Sequence, residues 1–514
     1  MVVVLHYPKP GFVEIDPDEL WKSVINVVNK CIQDASLTAG QITAMGISTQ
    51  RSTFITWSRK TGRPFHRFCT WKDIRADDLV KEWNNSYTWK VIKLGAYLLH
   101  MVSRSKRFKA GSVFKFSNNQ TTLRLFWALN NVPALQSAVR NNEAMFGTLD
   151  TWLLYKLTGN KLHMTDVSSA SATGFFDPFT MQWAGWAMSI FGIPMSALPQ
   201  VVDTAGEHFT STSPEIFGHA IPIRSCIADQ TASMWGSCCF EAGDVKLTMG
   251  TGTFLNINTG PTPHASVSGL YPVVGWRLGE ELVFSAEGSN NDTASIVKWA
   301  QGIDLFENPA DTADIAMSVP DTDGVYFVPA FSGLGAPYND CTAAAGFVGI
   351  KPSTGKAHLV RAVLEAIAFR TLQLYACVRT ETAHTFRSIR LDGGVSNNDF
   401  IAQLVSDLTG LRVERPLEVE MSSLGCAHIV GLQLGVFKSK DELKSLRKVG
   451  TVFTPRAHAK KTYEYAFSRW EAAVRRLCGW YAEPKPSHAV ADTDSATPRT
   501  SFKMAAKKNG GAAK

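Results

Sequence analysis

Gly250-Thr251-Gly252 interrupts two runs of alternating character, with Val245, Leu247 and Met249 on one side and Phe254 onward on the other. The alternation predicts a β-hairpin, and glycines flanking a threonine leave the main-chain N–H groups at its tip unshielded. Such a tip can hold an anion with its amides and the Thr251 hydroxyl; the same pattern also serves as a plain structural turn. A second bare turn, Leu391-Asp392-Gly393-Gly394, ends a strand ahead of a helix that Asn397 can cap. A phosphate or a nucleotide sugar is favoured at such a helix start. Two such turns in one half of the chain point to nucleotide binding. The third element is Asp229, directly after a strand ending at Ile227. A carboxylate at a strand exit, facing a phosphate site, can take the proton of an attacking hydroxyl. The alternative is a helix N-cap serving Ala232 or Ser233, and spacing leaves both open.

These residues need elements to hold them. Asp16-Pro17-Asp18-Glu19 combines an N-cap acid, a proline at the first helical position and following acids, and Leu20, Val24, Val27, Val28 and Cys31 continue at helical spacing. Ile42–Ser48, Phe54–Ser58, Ile221–Ile227 and Ser388–Leu391 read as strands, with a turn over 59–62 and a continuation through Arg63-Pro64-Phe65. Phe400, Ile401, Leu404, Val405 and Leu408 form one apolar face of a helix over Asp399–Thr409. Strands alternating with helices predict an α/β fold.

Composition narrows the class. With 514 residues, 45% hydrophobic and 19% charged, the chain is long enough for two cored domains. Its longest apolar runs, such as Leu98–Val102, are far too short for a membrane span, and Met1–Leu5 is too brief for a signal peptide. Nine cysteines without zinc-ribbon spacing are expected to be reduced thiols of a cytoplasmic protein. The net charge of +7 suggests nucleic acid until it is located: Lys503, Lys507, Lys508 and Lys514 lie in an acid-free tail. From about Pro484 the composition turns to Pro, Ser, Thr, Asp and Lys, which predicts a disordered basic tail over 484–514. A second cluster, Arg104, Lys106, Arg107 and Lys109, reads as a solvated loop, so no nucleic-acid partner is expected.

The stretches GISTQR (46–51), TWKDIRA (70–76), GTLDTWLLYKLTG (147–159), ADQTASMWG (228–236), MGTGTFLNINTG (249–260), VPAFSGLGAPYND (328–340) and LDGGVSNNDF (391–400) occur in this order. Together with AGFVGIKPSTGKAHLVRAVLE (345–365), they resemble the FGGY family of carbohydrate kinases, in the glycerol kinase group and a divergent branch of it. The resemblance runs from about Tyr7 to Tyr481. It implies two RNase H-like domains of the actin-like ATPase type, over 1–235 and 236–483, with ATP, Mg2+ and a polyol in the cleft between them. By the same resemblance Asp229 is the base toward the attacking hydroxyl. Arg51 and Gln230 bind substrate hydroxyls, Trp71 and Phe254 lie against the carbon chain, Thr251 contacts phosphate, and Gly394 and Asn398 contact nucleotide. A homo-oligomer is compatible with it, and no metal ligand is assigned.

Departures from the family pattern carry their own expectations. Ser52 stands where glycerol kinases have an acid. Loss of a charge-assisted hydrogen bond, about 1.5–3 kcal/mol, predicts a glycerol complex weaker by roughly tenfold to a hundredfold unless compensated. Asn119 aligns with a substrate-contacting tyrosine, and Ala294 and Lys298 with glycine and glutamine of the adenine region. The family's opening strand and Asp-x-Gly-Thr/Ser phosphate loop have no counterpart before Tyr7, which predicts an exposed sheet edge in the first lobe and a weakened enzyme. A polyol kinase, a nucleotide-binding pseudokinase and a chaperone-like ATPase are the three readings this leaves.

Overall fold

The capping acid sets the first helix in place. In the computed structural model, which describes residues 3–482 apart from 267, 383 and 419, Asp16 Oδ1 accepts from Asp18 N at 3.0 Å and Glu19 N at 3.2 Å. Pro17 then opens α1 (Pro17–Asp34). The tail expected over 484–514 lies outside the described residues. β1 (Met45–Thr49) is shorter at its start than the apolar run suggests, because a 3-10 turn over Ala39–Gln41 holds the Ile42 N–H. β2 (Phe54–Ser58) ends in the expected turn, closed by Gly62 N on Ser58 O at 2.8 Å. The continuation shrinks to one bridge, Trp57 to Pro64, since proline brings no N–H to a ladder.

The first lobe is a patchwork. Glu14–Ile15, Phe68–Cys69, β2 and β3 (Ala144–Thr148) form a four-stranded antiparallel sheet in that order. β1 pairs in parallel with β4 (Ile223–Ala228) and, among the described residues, with no other strand. Beside these sheets stands a helical hairpin, α2 (Tyr87–Ser103) and α3 (Lys106–Val113), turned at Arg104 in the left-handed conformation. The basic cluster Arg104–Lys109 is therefore a helix corner and not a loop; the run of helix formers after Ser105 outweighs its charge. β4 leads without a break into α4 (Asp229–Gly236).

The second lobe is one twisted sheet of seven strands. β5 (Val245–Met249), β6 (Thr253–Gly260), β7 (Tyr271–Leu278) and β8 (Glu281–Asn290) are antiparallel neighbours; β9 (Ser388–Asp392) runs parallel to β5, β10 (Arg412–Pro416) parallel to β9, and β11 (Val449–Phe453) closes the edge. The spatial order is β7-β8-β6-β5-β9-β10-β11. α5 (Ala294–Gly302), α6 (Lys356–Glu381) and α7 (Asp399–Thr409) follow the strands, and α6 is buried along most of its 26 residues in the largest core cluster. α8 (Met421–Gln433) packs on α4 so closely that a Cβ on Gly425 would lie 1.7 Å from Ala232 O. That contact ties the helix carrying Asp229 to the second lobe. The α/β expectation holds. All nine cysteines are free thiols, and no described helix is long and apolar enough to cross a membrane.

Candidate active site

The hairpin between β5 and β6 has the predicted form. Val245, Leu247 and Met249 are fully buried, so the alternation is that of a core strand, while Thr251 at the tip is exposed. Thr293 N and Ala294 N at the start of α5 donate to the tip carbonyls, Thr251 O at 3.1 Å and 3.2 Å. The N–H groups of Thr251 and Gly252 have no partner among the described residues, so this main chain is free to donate. The second turn lies against the first. Gly393 has φ +86, and a Cβ there would be 2.6 Å from Met249 O, so only glycine lets the turns meet. Gly394 faces open space at the start of a 3-10 turn. The helix cap is Asn398 and not Asn397. Asn398 Oδ1 accepts from Ile401 N at 3.0 Å and its Nδ2 donates to Thr312 Oγ1 at 2.9 Å, because the 3-10 turn delays α7 by one residue.

Asp229 is the first residue of α4 and caps nothing beyond itself: its Oδ1 accepts from Gln230 N at 2.7 Å, and no bond reaches Ala232 or Ser233. The half-buried carboxyl is pushed up to about 6. Burial dominates, the Arg51 guanidinium pulls against it, and the charges of Glu287 and Asp392 add to the rise. Arg51 follows β1 and forms an ion pair with Glu287 of β8, joining the two lobes across the cleft. Burial disfavours the Arg51 charge, but Glu287 and Asp229 more than restore it. Gln230 Oε1 accepts from Asn256 Nδ2 at 3.5 Å, and the Trp71 and Phe254 rings meet edge to face at 5.9 Å.

One cavity of about 1190 Å³ is lined by Arg51, Trp71, Asp229, Gln230, Phe254 and Thr251 together. Gly394 and Asn398 do not line it. Ser52 also lines the cavity, and its hydroxyl donates to Ala172 O at 2.9 Å. Asn119 pairs with Asn291 across the lobes at 3.2 Å. Buried Arg124 fixes both segments, its Nη2 donating to Ser52 O at 2.8 Å and Asn119 O at 3.2 Å. Among the described residues no group of three or more His, Cys, Asp or Glu is placed to hold a metal.

Sequence reasoning missed two ion pairs. Glu287, 236 residues beyond Arg51 in the chain, pairs with it from β8 and brings a second carboxylate to the cavity lining. Lys246, wholly inaccessible within β5, forms an ion pair with Asp392 of β9, and Ser233 Oγ donates to the same carboxylate at 2.9 Å. Burial lowers the Lys246 pKa while Asp392 opposes it. The signal was present: a lysine inside Val245-Lys246-Leu247, on a strand covered on both faces, needs a buried partner.

Comparison with known proteins agrees with this geometry. Residues 2–236 match the N-terminal domain of the FGGY family of carbohydrate kinases, and residues 245–433 match its C-terminal domain. The chain is 50% identical to glycerol kinase 5 of Danio rerio over 487 residues, covering 94% of this chain and 92% of that one. It is 49% identical to glycerol kinase 5 of Homo sapiens over 475 residues, covering 92% and 89%. A crystal structure of Plasmodium falciparum glycerol kinase with ADP superposes with a TM-score of 0.80 at 30% identity, covering 93% of this chain and 92% of that one. The fold is thus the two-lobed, RNase H-like architecture of the actin-like ATPases, and the chain, a kinase, belongs to the FGGY family of carbohydrate kinases.

Proposed function

We propose that this chain transfers the γ-phosphoryl group of ATP to a polyol, converting glycerol to sn-glycerol 3-phosphate. The observation that carries the reading is Asp229, a carboxylate raised to about 6, in the same cavity as an arginine, two aromatic rings and a bare hairpin tip. Its support from relatives is the glycerol kinase name they carry and the ADP in the Plasmodium falciparum structure. The lobes divide near residue 235, with the cleft between them.

Arg51 and Gln230 orient the hydroxyls of the polyol, and Trp71 and Phe254 flank its carbons. Asp229 accepts the proton as the hydroxyl oxygen bonds to the γ-phosphorus and the bond to the β-phosphate oxygen breaks. The amides of Thr251 and Gly252 and the Thr251 hydroxyl hold phosphate oxygens, with Gly394 and Asn398 toward the nucleoside. Most of the catalysis is alignment and charge stabilisation in a closed site. Magnesium binds through one or two carboxylates plus substrate phosphates, which fits a cleft whose unpaired carboxylate is Asp229, and it would supply charge neutralisation of the phosphates.

A second reading, nucleotide binding without turnover, is favoured by one observation: the Ser52 hydroxyl commits its proton to Ala172 O and brings no charged acceptor to a substrate. Incubation with ATP, magnesium and a polyol panel separates the two. Polyol-dependent ADP release supports the kinase, and nucleotide binding with no release supports the alternative.

A further inference from the structure

We propose that the α2–α3 hairpin is a docking surface for an anionic lipid bilayer, with the outer face of α2 lying in the headgroup plane. Tyr87, Val91, Leu94, Leu98, Met101 and Val102 recur at helical spacing on one face, and all are exposed, Tyr87 by 87% and Val102 by 86%. A soluble surface scatters such residues; a continuous stripe along a whole helix marks an interaction face. The helix is not loose. Its opposite face is anchored by Trp89, whose ring lies 4.5 Å from Phe116 and 5.8 Å from Phe114.

Charge identifies the occupant. No Asp or Glu occurs between Glu82 and Glu143, while Lys90, Lys93, Arg104, Lys106, Lys109 and Lys115 fall within the hairpin and its exit. None of these six makes an ion pair among the described residues, whereas Arg107 is paired with Asp177 at 2.6 Å; Lys93 and Lys115 line the cavity, which leaves Lys90, Arg104, Lys106 and Lys109 for the outer surface. Lys93 lies near enough to Lys115 that, after burial, their repulsion lowers its pKa. Lys90 borders the stripe with Nζ 5.5 Å over the Tyr87 ring, the posture of a side chain that keeps its charge at an interface. A second copy of this chain would also accept a stripe at this spacing, but self-pairing would set unpaired cations against the same cations with no acid to relieve them. Anionic headgroups meet both demands: they neutralise the cations and bury the stripe. The helix lies on the bilayer and does not cross it, since no described helix is long and apolar enough to span one. Ala96 and Leu99 of α2 line the same cavity as Asp229, so docking brings the kinase cleft beside the membrane.

The test is co-sedimentation of the full chain with phosphatidylcholine vesicles, with and without phosphatidylserine, at low and high salt. Partition onto phosphatidylserine vesicles that weakens with salt is expected. Leu94→Glu with Leu98→Glu should lower partition by more than tenfold, and Lys106→Glu or Lys109→Glu by about fivefold or more per position. Thermal melting and vesicle-free ADP release should be unchanged, because Leu94, Leu98 and Lys106 are exposed, Lys109 is half-buried and unpaired among the described residues, and all four lie outside the cavity lining. No partition, partition equal on neutral vesicles, or variants that bind like the parent would overturn the proposal. So would sedimentation equilibrium in which Leu94→Glu with Leu98→Glu dissolves a dimer while vesicles bind nothing. The readout is lipid binding, so it stands or falls independently of the polyol reading.

Discussion

The two walls of the cleft are built on different principles. The second lobe is a seven-stranded sheet that presents main chain: Thr251 and Gly252 offer amides, and Gly393 packs against Met249 O. The first lobe is a set of short sheets that presents side chains: Arg51, Trp71 and Asp229. A phosphate tail is the same in every nucleotide and can be held by backbone, which substitution barely alters. A polyol is recognised by side chains, and there a single replacement such as Ser52 changes the groups a ligand meets, since its hydroxyl bonds Ala172 O while Glu287 is paired with Arg51 across the cleft.

The comparison breaks most visibly at Asp229. Asp229→Asn is expected to lower turnover about 10²–10⁴-fold in a coupled ADP assay, with ATP affinity retained. The folded pKa of about 6 lies above the ordinary carboxylate value near 3.8, so the ionised form is disfavoured by folding. That penalty is absent below the ordinary value and complete above about 6, so the same substitution should raise the melting temperature at neutral pH. Unchanged turnover would remove Asp229 from the base role.

Lys246→Met tests whether the second wall is rigid because of its buried ion pair. Removing one partner leaves Asp392 charged in the core, and a loss of about 3–5 kcal/mol is expected in urea unfolding. Arg51→Ala should raise the polyol KM by roughly tenfold to a hundredfold, with less change in the KM for ATP. The pH profile sharpens the same division. Turnover is expected to be half-maximal near pH 6, to approach its full value about one unit higher and to fall about tenfold per unit well below it, as Asp229 takes a proton, with no such limb for nucleotide binding measured by titration. The smallest effect belongs to Ser52→Ala, which removes a bond to Ala172 O and no substrate contact. Stability should fall by about 1 kcal/mol in thermal melting while the polyol KM stays within about twofold.

Much of this was legible in the sequence because it is local. Asp16 and Pro17 dictate a helix start within four residues, the alternation about Gly250-Thr251-Gly252 dictates a hairpin, and Asp399–Thr409 keeps one apolar face. The motifs placed Asp229, Arg51 and Trp71 before their meeting in one cavity was visible. Less legible were the extents. Ile42 belongs to a turn, the helix cap moved from Asn397 to Asn398, and the basic Arg104–Lys109 segment became a helix corner.

By itself the sequence determined which backbone segments turn, cap and alternate, since those preferences depend on neighbours a few residues apart, and it carried the motifs of an FGGY kinase. Tertiary structure alone decided that Glu287 meets Arg51, that Asp392 neutralises Lys246, and that the apolar stripe of α2 faces outward. Those outcomes depend on which surfaces the folded chain brings within a few ångströms of each other. Residues separated by a hundred positions or more leave no periodic trace of such a meeting.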